Sequence, residues 1–97
     1  MGVKRSVTFW DGGAAIPNSS NSREEVLVGG NYCFVTSGAR FDLQYKTEAV
    51  NGTITWTQVA RNNGAECDFV QIPAGTYRVN RSQGSDAQVV QLKSIGF

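Results

Sequence analysis

Hydrophobic and polar residues alternate along the middle of the chain with the period of two that is typical of half-buried β-strands. In residues 40–46, Phe41, Leu43 and Tyr45 alternate with charged and polar side chains and are predicted to face a core. Similar strand-forming segments lie at residues 24–28, 31–36, 53–59, 66–72, 76–81 and 87–95. The pattern predicts an all-β fold, a single small antiparallel β-sandwich or barrel of about seven strands.

The turn between residues 66–72 and 76–81 is the one around which the other strands are expected to pack. Pro73 fixes its own φ and lacks a backbone donor, so it suits a corner and not a central strand. Gly75 is expected to supply the positive φ of a type II-like turn. After this corner, Tyr77 and Val79 are predicted to point to the core together.

A hairpin is predicted where Asn51 and Gly52 separate residues 40–46 from 53–59, because Asn-Gly is a strong hairpin-turn pair. On the returning strand, Ile54 and Trp56 are expected to share one face and the threonines the other, wetter face. Tyr45, Trp56 and Tyr77 are interpreted first as core residues. The alternative is a stacking platform for sugars or bases.

The first 24 residues are predicted to differ from the rest of the chain. Apart from a short strand at residues 6–10 they carry turn residues without periodicity, so residues 1–24 are interpreted as an extended N-terminal arm and linker and residues 25–97 as the sandwich body. The other interpretation, which also stays open, makes residues 6–10 the first strand of the sandwich. Adjacent aromatic residues in a regular strand point to opposite faces, which would leave Phe9 or Trp10 without core cover.

Four apolar residues near the chain ends are therefore candidates for contact with another protein, since aromatic side chains are enriched in interface cores. These protein-interface candidates are Phe9, Trp10, Ile16 and Phe97.

Composition and charge narrow the classes of function. The 97 residues fit one domain, and the net charge of +1 comes from 9 basic and 8 acidic residues without a basic cluster. No nucleic-acid partner is therefore expected. The chain also lacks an apolar stretch of the ~20 residues that span a bilayer and an apolar leader after Met1, so we expect no membrane partner and synthesis in a cytosol.

Catalytic and metal-binding patterns are not found in the sequence. Histidine is absent, and the spacing of Cys33 and Cys67 suits no zinc motif. The two cysteines are predicted to be reduced core thiols, or a disulfide if their strands are neighbours. Asp42 and Asp68 are expected to be solvated or salt-bridged and not a catalytic pair. We therefore predict no enzyme activity, no catalytic residue, no metal and no cofactor.

Several short motifs recur together in one known group of proteins. In this sequence they are Gly29-Gly30-Asn31-Tyr32-Cys33-Phe34, Phe41-Asp42-Leu43-Gln44-Tyr45, Asn51-Gly52-Thr53, Trp56-Thr57-Gln58-Val59, Ile72-Pro73-Ala74-Gly75-Thr76-Tyr77-Arg78-Val79 and Gln91-Leu92-Lys93-Ser94-Ile95. Over residues 28–95 the chain resembles small structural proteins of tailed bacteriophages. It departs from them at Ile72, where leucine is common, in its two cysteines, and in residues 1–24.

The resemblance implies a virion structural protein that binds and stabilises the capsid shell, as a decoration or cement protein does. It implies the major capsid protein as partner, a homo-oligomer (trimer or dimer), and a place on the capsid surface after assembly in the host cytoplasm. A head-fibre or tail-associated structural protein is the alternative within the same group. The residues alone leave open a carbohydrate-binding β-sandwich module that uses Trp56 or Tyr77.

Overall fold

The computed structural model describes residues 5–15, 20–36, 40–62, 67–83 and 87–96, with the backbone alone for residues 11–15, 82, 83, 87, 88 and 96. In these ranges the chain forms eight strands and no helix. The strands are β1 (Val7–Ala15), β2 (Glu25–Leu27), β3 (Gly30–Thr36), β4 (Arg40–Glu48), β5 (Ile54–Asn62), β6 (Asp68–Ile72), β7 (Gly75–Gln83) and β8 (Ala87–Gly96).

The strands form two antiparallel sheets of four, in the orders β1-β8-β3-β6 and β2-β7-β4-β5. We call them the β1 sheet and the β2 sheet. Each of the first four strands pairs with the strand that has the same position counted from the other end of the chain: β1 with β8, β2 with β7, β3 with β6 and β4 with β5. The chain is therefore one long hairpin folded over on itself, which is the arrangement of a jelly roll.

The all-β sandwich predicted from the periodicity is confirmed, with eight strands where about seven were expected. The additional strand is β1, whose Val7 lies opposite Leu92 of β8. The division into an arm (residues 1–24) and a body (residues 25–97) therefore needs correction, and the alternative that put residues 6–10 in the sandwich agrees with the structure. Ser22 also joins the sandwich, because its N–H donates to the carbonyl of Val79 at 2.8 Å.

A β-bulge in β1 explains why the argument from adjacent aromatics fails. Thr8 lies opposite Gln91 and Trp10 lies opposite Val90, so Phe9 and Trp10 together face one residue of β8. A bulge re-aims a side chain that regular alternation would send to the other face. Phe9 is consequently 4% exposed and part of the core, and Trp10 packs against that core with its ring centroid 5.8 Å from Phe41.

The hydrophobic core lies between the two sheets and draws on seven of the strands. Its members are Val7, Phe9, Leu27, Tyr32, Phe34, Phe41, Leu43, Ile72, Tyr77, Val79, Val90 and Leu92. Strand β5 contributes no member, although its Ala60 packs against the core. The alternation predicted for residues 40–46 is confirmed, since Phe41 and Leu43 are buried in the core and Tyr45 is packed against it.

The faces of β5 are the reverse of those predicted. Trp56 lies opposite Lys46, and Lys46 alternates with the inward-facing Tyr45, so Trp56 lies on the outer face of the β2 sheet. There the guanidinium of Arg78 stacks 4.2 Å from the centroid of its ring. Ile54 is likewise exposed instead of buried. The interpretation of Trp56 as a core residue was therefore wrong.

Cys33 and Cys67 form a disulfide bond, with their Cα atoms 5.3 Å apart. The expectation of reduced thiols was wrong, and the condition set for a disulfide, neighbouring strands, is met. Strand β3 pairs with β6 so that Cys33 lies opposite Phe69, which brings Cys67 beside it at the start of β6. The bond thus links a central strand of the β1 sheet to its edge strand.

Removal of this disulfide is expected to lower the free energy of unfolding by about 2–4 kcal/mol, because it closes a 34-residue separation and restricts the unfolded chain. The comparison is urea unfolding of the Cys33→Ala/Cys67→Ala variant and the wild type, with the reduced wild type as control. The variant and the reduced protein should share one midpoint, below that of the oxidised protein. Equal midpoints for all three would contradict a stabilising bond.

Candidate docking surface at the corner end

Three chain connections meet at one end of the sandwich, which we call the corner end. They are the β2–β3 link (residues 28–29), the β4–β5 hairpin (residues 49–53) and the β6–β7 turn (residues 73–74). The register brings the link and the turn together, because Leu27 lies opposite Gly75 in the β2 sheet and Gly30 lies opposite Ile72 in the β1 sheet.

Two buried tyrosines anchor the link and the turn in the same way. The hydroxyl of Tyr32 donates to the carbonyl of Val28 at 2.6 Å, and the hydroxyl of Tyr77 donates to the carbonyl of Pro73 at 2.5 Å. Each bond reaches back four residues, from the start of a strand to the connection before it. The two connections that cross between the sheets at the corner end are therefore both attached to the core.

Backbone packing joins the link directly to the turn. A Cβ on Gly29 would lie 3.0 Å from the backbone nitrogen of Ala74 and 3.3 Å from the carbonyl oxygen of Ile72. Both neighbours are main-chain atoms, which have little freedom to move away. Only glycine at position 29 lets the two connections approach this closely.

Gly75 is needed for a different reason from the one predicted. Positive φ occurs at Gly52, in the predicted hairpin turn at 89°, and not at Gly75. A Cβ on Gly75 would instead overlap Cε1 of the Tyr45 ring and lie 3.1 Å from its Cζ and hydroxyl oxygen. The absent side chain thus makes room for Tyr45, whose ring packs 5.2 Å from that of Tyr77.

The β4–β5 hairpin is closed by its own hydrogen bonds. The N–H of Gly52 donates to the carbonyl of Ala49 at 2.8 Å, and the N–H of Ala49 donates to the carbonyl of Thr53 at 2.9 Å. The side chain of Asn51 accepts from the N–H of Thr53 at 3.0 Å. Val50 sits at the tip of this ordered turn and is fully exposed.

Exposed aliphatic side chains lie around the corner end. Val26 is opposite Thr76 near the start of β7, Ile54 begins β5, and Ile95 is one residue from the end of β8. Together with Val50 they make up four of the six large hydrophobic residues exposed in the described chain, and we call them the apolar rim. Apolar groups on a rigid support are typical of a surface that binds another protein.

The residues proposed from the sequence as interface candidates do not form this surface. Phe9 is buried, so its candidacy is corrected: the bulge in β1 turns it into the core. Trp10 is partly covered by the core it packs against. Ile16 and Phe97 lie outside the described residues. Sequence reasoning missed the apolar rim because Val26, Val50 and Ile54 look like ordinary strand or turn residues until the register is known.

The charged residues of the β2 sheet are largely paired. Arg61 donates to both carboxylate oxygens of Asp42, at 2.6 and 3.2 Å, and this hydrogen bonding raises the pKa of the Arg61 guanidinium. Lys46 pairs with Glu24 at 3.2 Å. The expectation that Asp42 would be salt-bridged is confirmed, and Asp68 lies on the other sheet.

The described residues contain no group of three or more His, Cys, Asp or Glu side chains placed to hold a metal ion. Nor do they include a helix of the length and apolarity that a bilayer crossing requires. Comparison with protein-family models, with curated proteins and with solved structures found no match to this chain.

The Gly75→Ala substitution should lower the free energy of unfolding by about 1–3 kcal/mol, because the new methyl group displaces the Tyr45 ring from its place beside Tyr77. Urea unfolding of Gly75→Ala, Tyr45→Ser and the double variant measures the coupling between the two positions. With Tyr45 removed, the cost of Gly75→Ala should largely disappear. An unchanged cost would place the origin of the effect in the backbone and not in the ring.

Stability is expected to fall in alkaline solution because of the two anchoring tyrosines. Burial raises the pKa of Tyr77, with further contributions from Tyr45 and Tyr32, and burial also raises the pKa of Tyr32. An unfolded tyrosine ionises near its ordinary pKa of ~10, so their contribution is complete below that pH and is lost progressively above it. Urea unfolding at pH 8 and pH 11 measures this loss.

The Tyr77→Phe variant separates ionisation from hydrogen bonding. At neutral pH it should be less stable by about 1 kcal/mol, since the bond to Pro73 is gone, but its decline at alkaline pH should be shallower than that of the wild type. Tyr32→Phe is expected to change both quantities in the same direction. A decline as steep as that of the wild type in both variants would exclude these tyrosines as its source.

Proposed function

We propose that the protein is a virion structural protein that binds and stabilises the capsid shell of a tailed bacteriophage. It acts by binding and not by catalysis, with the major capsid protein as its partner. The support is the resemblance over residues 28–95 together with the jelly-roll fold, an architecture used by viral capsid and lectin domains. The fold contributes by analogy, since one architecture hosts many functions.

The main structural support for this proposal is the corner end. Its connections are held by Tyr32 and Tyr77, and its apolar rim stands on that fixed base. The turn at Pro73 belongs to the motif that most closely resembles the phage proteins. A protein that binds many identical sites gains from a surface of this kind, because little conformational entropy is lost when a pre-ordered surface binds.

The charge of the chain also fits attachment by shape and apolar contact. With a net charge of +1, and with Lys46 and Arg61 of the β2 sheet paired with carboxylates, the protein offers little long-range attraction to a charged partner. Binding to a shell should therefore depend weakly on salt. A standard interface of ~800 Å² per partner is sufficient when it is repeated across a lattice.

The Val50→Asp variant is expected to bind empty capsids at least about tenfold more weakly than the wild type, since a charge at the hairpin tip opposes burial in an apolar contact. Val50 is fully exposed, so the fold should be unaffected. The measurement is co-sedimentation of the purified protein with capsids from the phage that encodes it, over a range of protein concentrations.

Phe69→Asp is the matched control, because Phe69 is also apolar and 75% exposed but lies on the outer face of the β1 sheet. It should bind capsids as the wild type does. Loss of binding by Phe69→Asp with normal binding by Val50→Asp would move the docking surface to that face. Absence of wild-type binding to heads, with binding to fibres or tails, would support the head-fibre or tail-associated alternative, and binding to no virion part would reject the proposal.

Carbohydrate binding has less support. Tyr77 is completely buried and offers no ring face to a sugar. Trp56 is on an outer face, but the Arg78 guanidinium already stacks on its ring. A sugar platform would have to displace this cation–π contact. A titration of tryptophan fluorescence with glycans tests it, and a flat response excludes it.

A further inference from the structure

We propose that β5 pairs with β5 of a second copy of the chain, so that two β2 sheets join edge to edge in a two-fold symmetric dimer. Strand β5 is the outer strand of its sheet, next to β4. In the described chain, β4 is the only strand that pairs with it, so the opposite side of β5 presents main-chain donors and acceptors over nine residues. Such an edge is a template for pairing with another strand.

The other edge strands are short, irregular or covered. Strands β1 and β2 meet through Arg23, which donates to the carbonyl of Thr8 at 2.7 Å and pairs with the Glu25 carboxylate. Strand β2 has three residues and β1 has two register irregularities. Strand β6 has five residues and begins beside the disulfide at Cys67. Short strands, register irregularities and charged side chains at the edge are known ways of preventing edge pairing.

Strand β5 has one register irregularity, at Val59, but its residues 54–58 pair regularly with β4, and the strand is neither short nor charged over residues 54–60. These residues read Ile-Thr-Trp-Thr-Gln-Val-Ala, with no charge, no proline and no glycine, and most of their side chains are exposed. Segments with high β-propensity and low charge are those that readily add a strand. An edge kept in this state in a folded protein is best explained by a strand that covers it.

A second copy is the occupant that the charge pattern favours. Because the segment is uncharged, two copies do not repel each other, and Arg61, the only charged residue of β5, is already paired with Asp42. A two-fold axis at Thr57 overlaps the whole segment with its copy and places Trp56 opposite Gln58. It also keeps the two Arg61 side chains at opposite ends of the pair. The same residues thus serve on both sides, as an isologous interface requires.

The pairing has a consequence for shell binding that rests on the proposed function. Strand β5 starts at the corner end with Ile54 and runs away from it. Antiparallel pairing therefore puts the two corner ends at opposite ends of the dimer. One dimer then presents two docking surfaces, which suits a protein that connects neighbouring positions of a lattice.

Size-exclusion chromatography with light scattering, over a range of concentrations, tests the dimer without any capsid. The full wild-type chain should reach twice its 10.5 kDa mass. Thr57→Lys places two like charges opposite each other and should weaken the dimer by at least about tenfold. Gln71→Lys is the control: it adds the same charge at an exposed residue of β6, in the other sheet, and should dimerise as the wild type does.

Cysteine trapping tests the register independently of affinity. Residues directly opposite each other in an antiparallel pair lie within disulfide range, so Thr57→Cys should form an intermolecular bond under mild oxidation, and Thr53→Cys should not.

Circular dichroism and thermal unfolding establish that each variant is folded. A wild type that stays monomeric at every concentration overturns the proposal, as does a folded Thr57→Lys that dimerises normally. A monomeric wild type whose capsid binding is lost in Thr57→Lys would assign the edge to a capsid strand instead.

Discussion

The crossing of the chain between the two sheets at the corner end is the constraint on which the rest of the structure depends. A hairpin folded over on itself must pass from one sheet to the other while both remain packed. Tyr32 and Tyr77 meet this requirement, since each fills the core with its ring and holds the preceding connection with its hydroxyl. Gly29 and Gly75 then supply the space in which the connections and the Tyr45 ring come together.

Periodicity predicted the parts of this fold whose side chains alternate without interruption. Residues 40–46 and the pair Tyr77 and Val79 lie in central strands, where one face is buried and local pattern and tertiary position agree. The Asn51-Gly52 turn was also predicted correctly, because its conformation depends on residues that are adjacent in the sequence. These residues were sufficient to identify an all-β sandwich, but not the order of its strands, because pairing between distant strands leaves no local signal.

The sequence predictions that were wrong have the same physical origin, which is that the sequence does not show how distant strands pair. The bulge in β1 changes the face of Trp10 without changing its residue type, and the register of β5 with β4 places Trp56 on the outer face although it alternates as a core residue would. The disulfide depends on β3 and β6 being neighbours, which a separation of 34 residues does not reveal. The apolar rim was missed for this reason too, since only strand register shows that its members lie at the same end of the sandwich.

The corner end and the β5 edge answer different requirements of a small sandwich: connections must be held in place, and strand edges must be protected from unwanted pairing. Four edges must be managed in a protein of this size, and Arg23, short strands and the disulfide manage three of them with few residues. Strand β5 is not shortened in this way: it runs for nine residues from the hairpin that carries Val50 at the corner end. The proposed pairing with a second copy would cover this edge by the same main-chain hydrogen bonds that join the strands within each sheet.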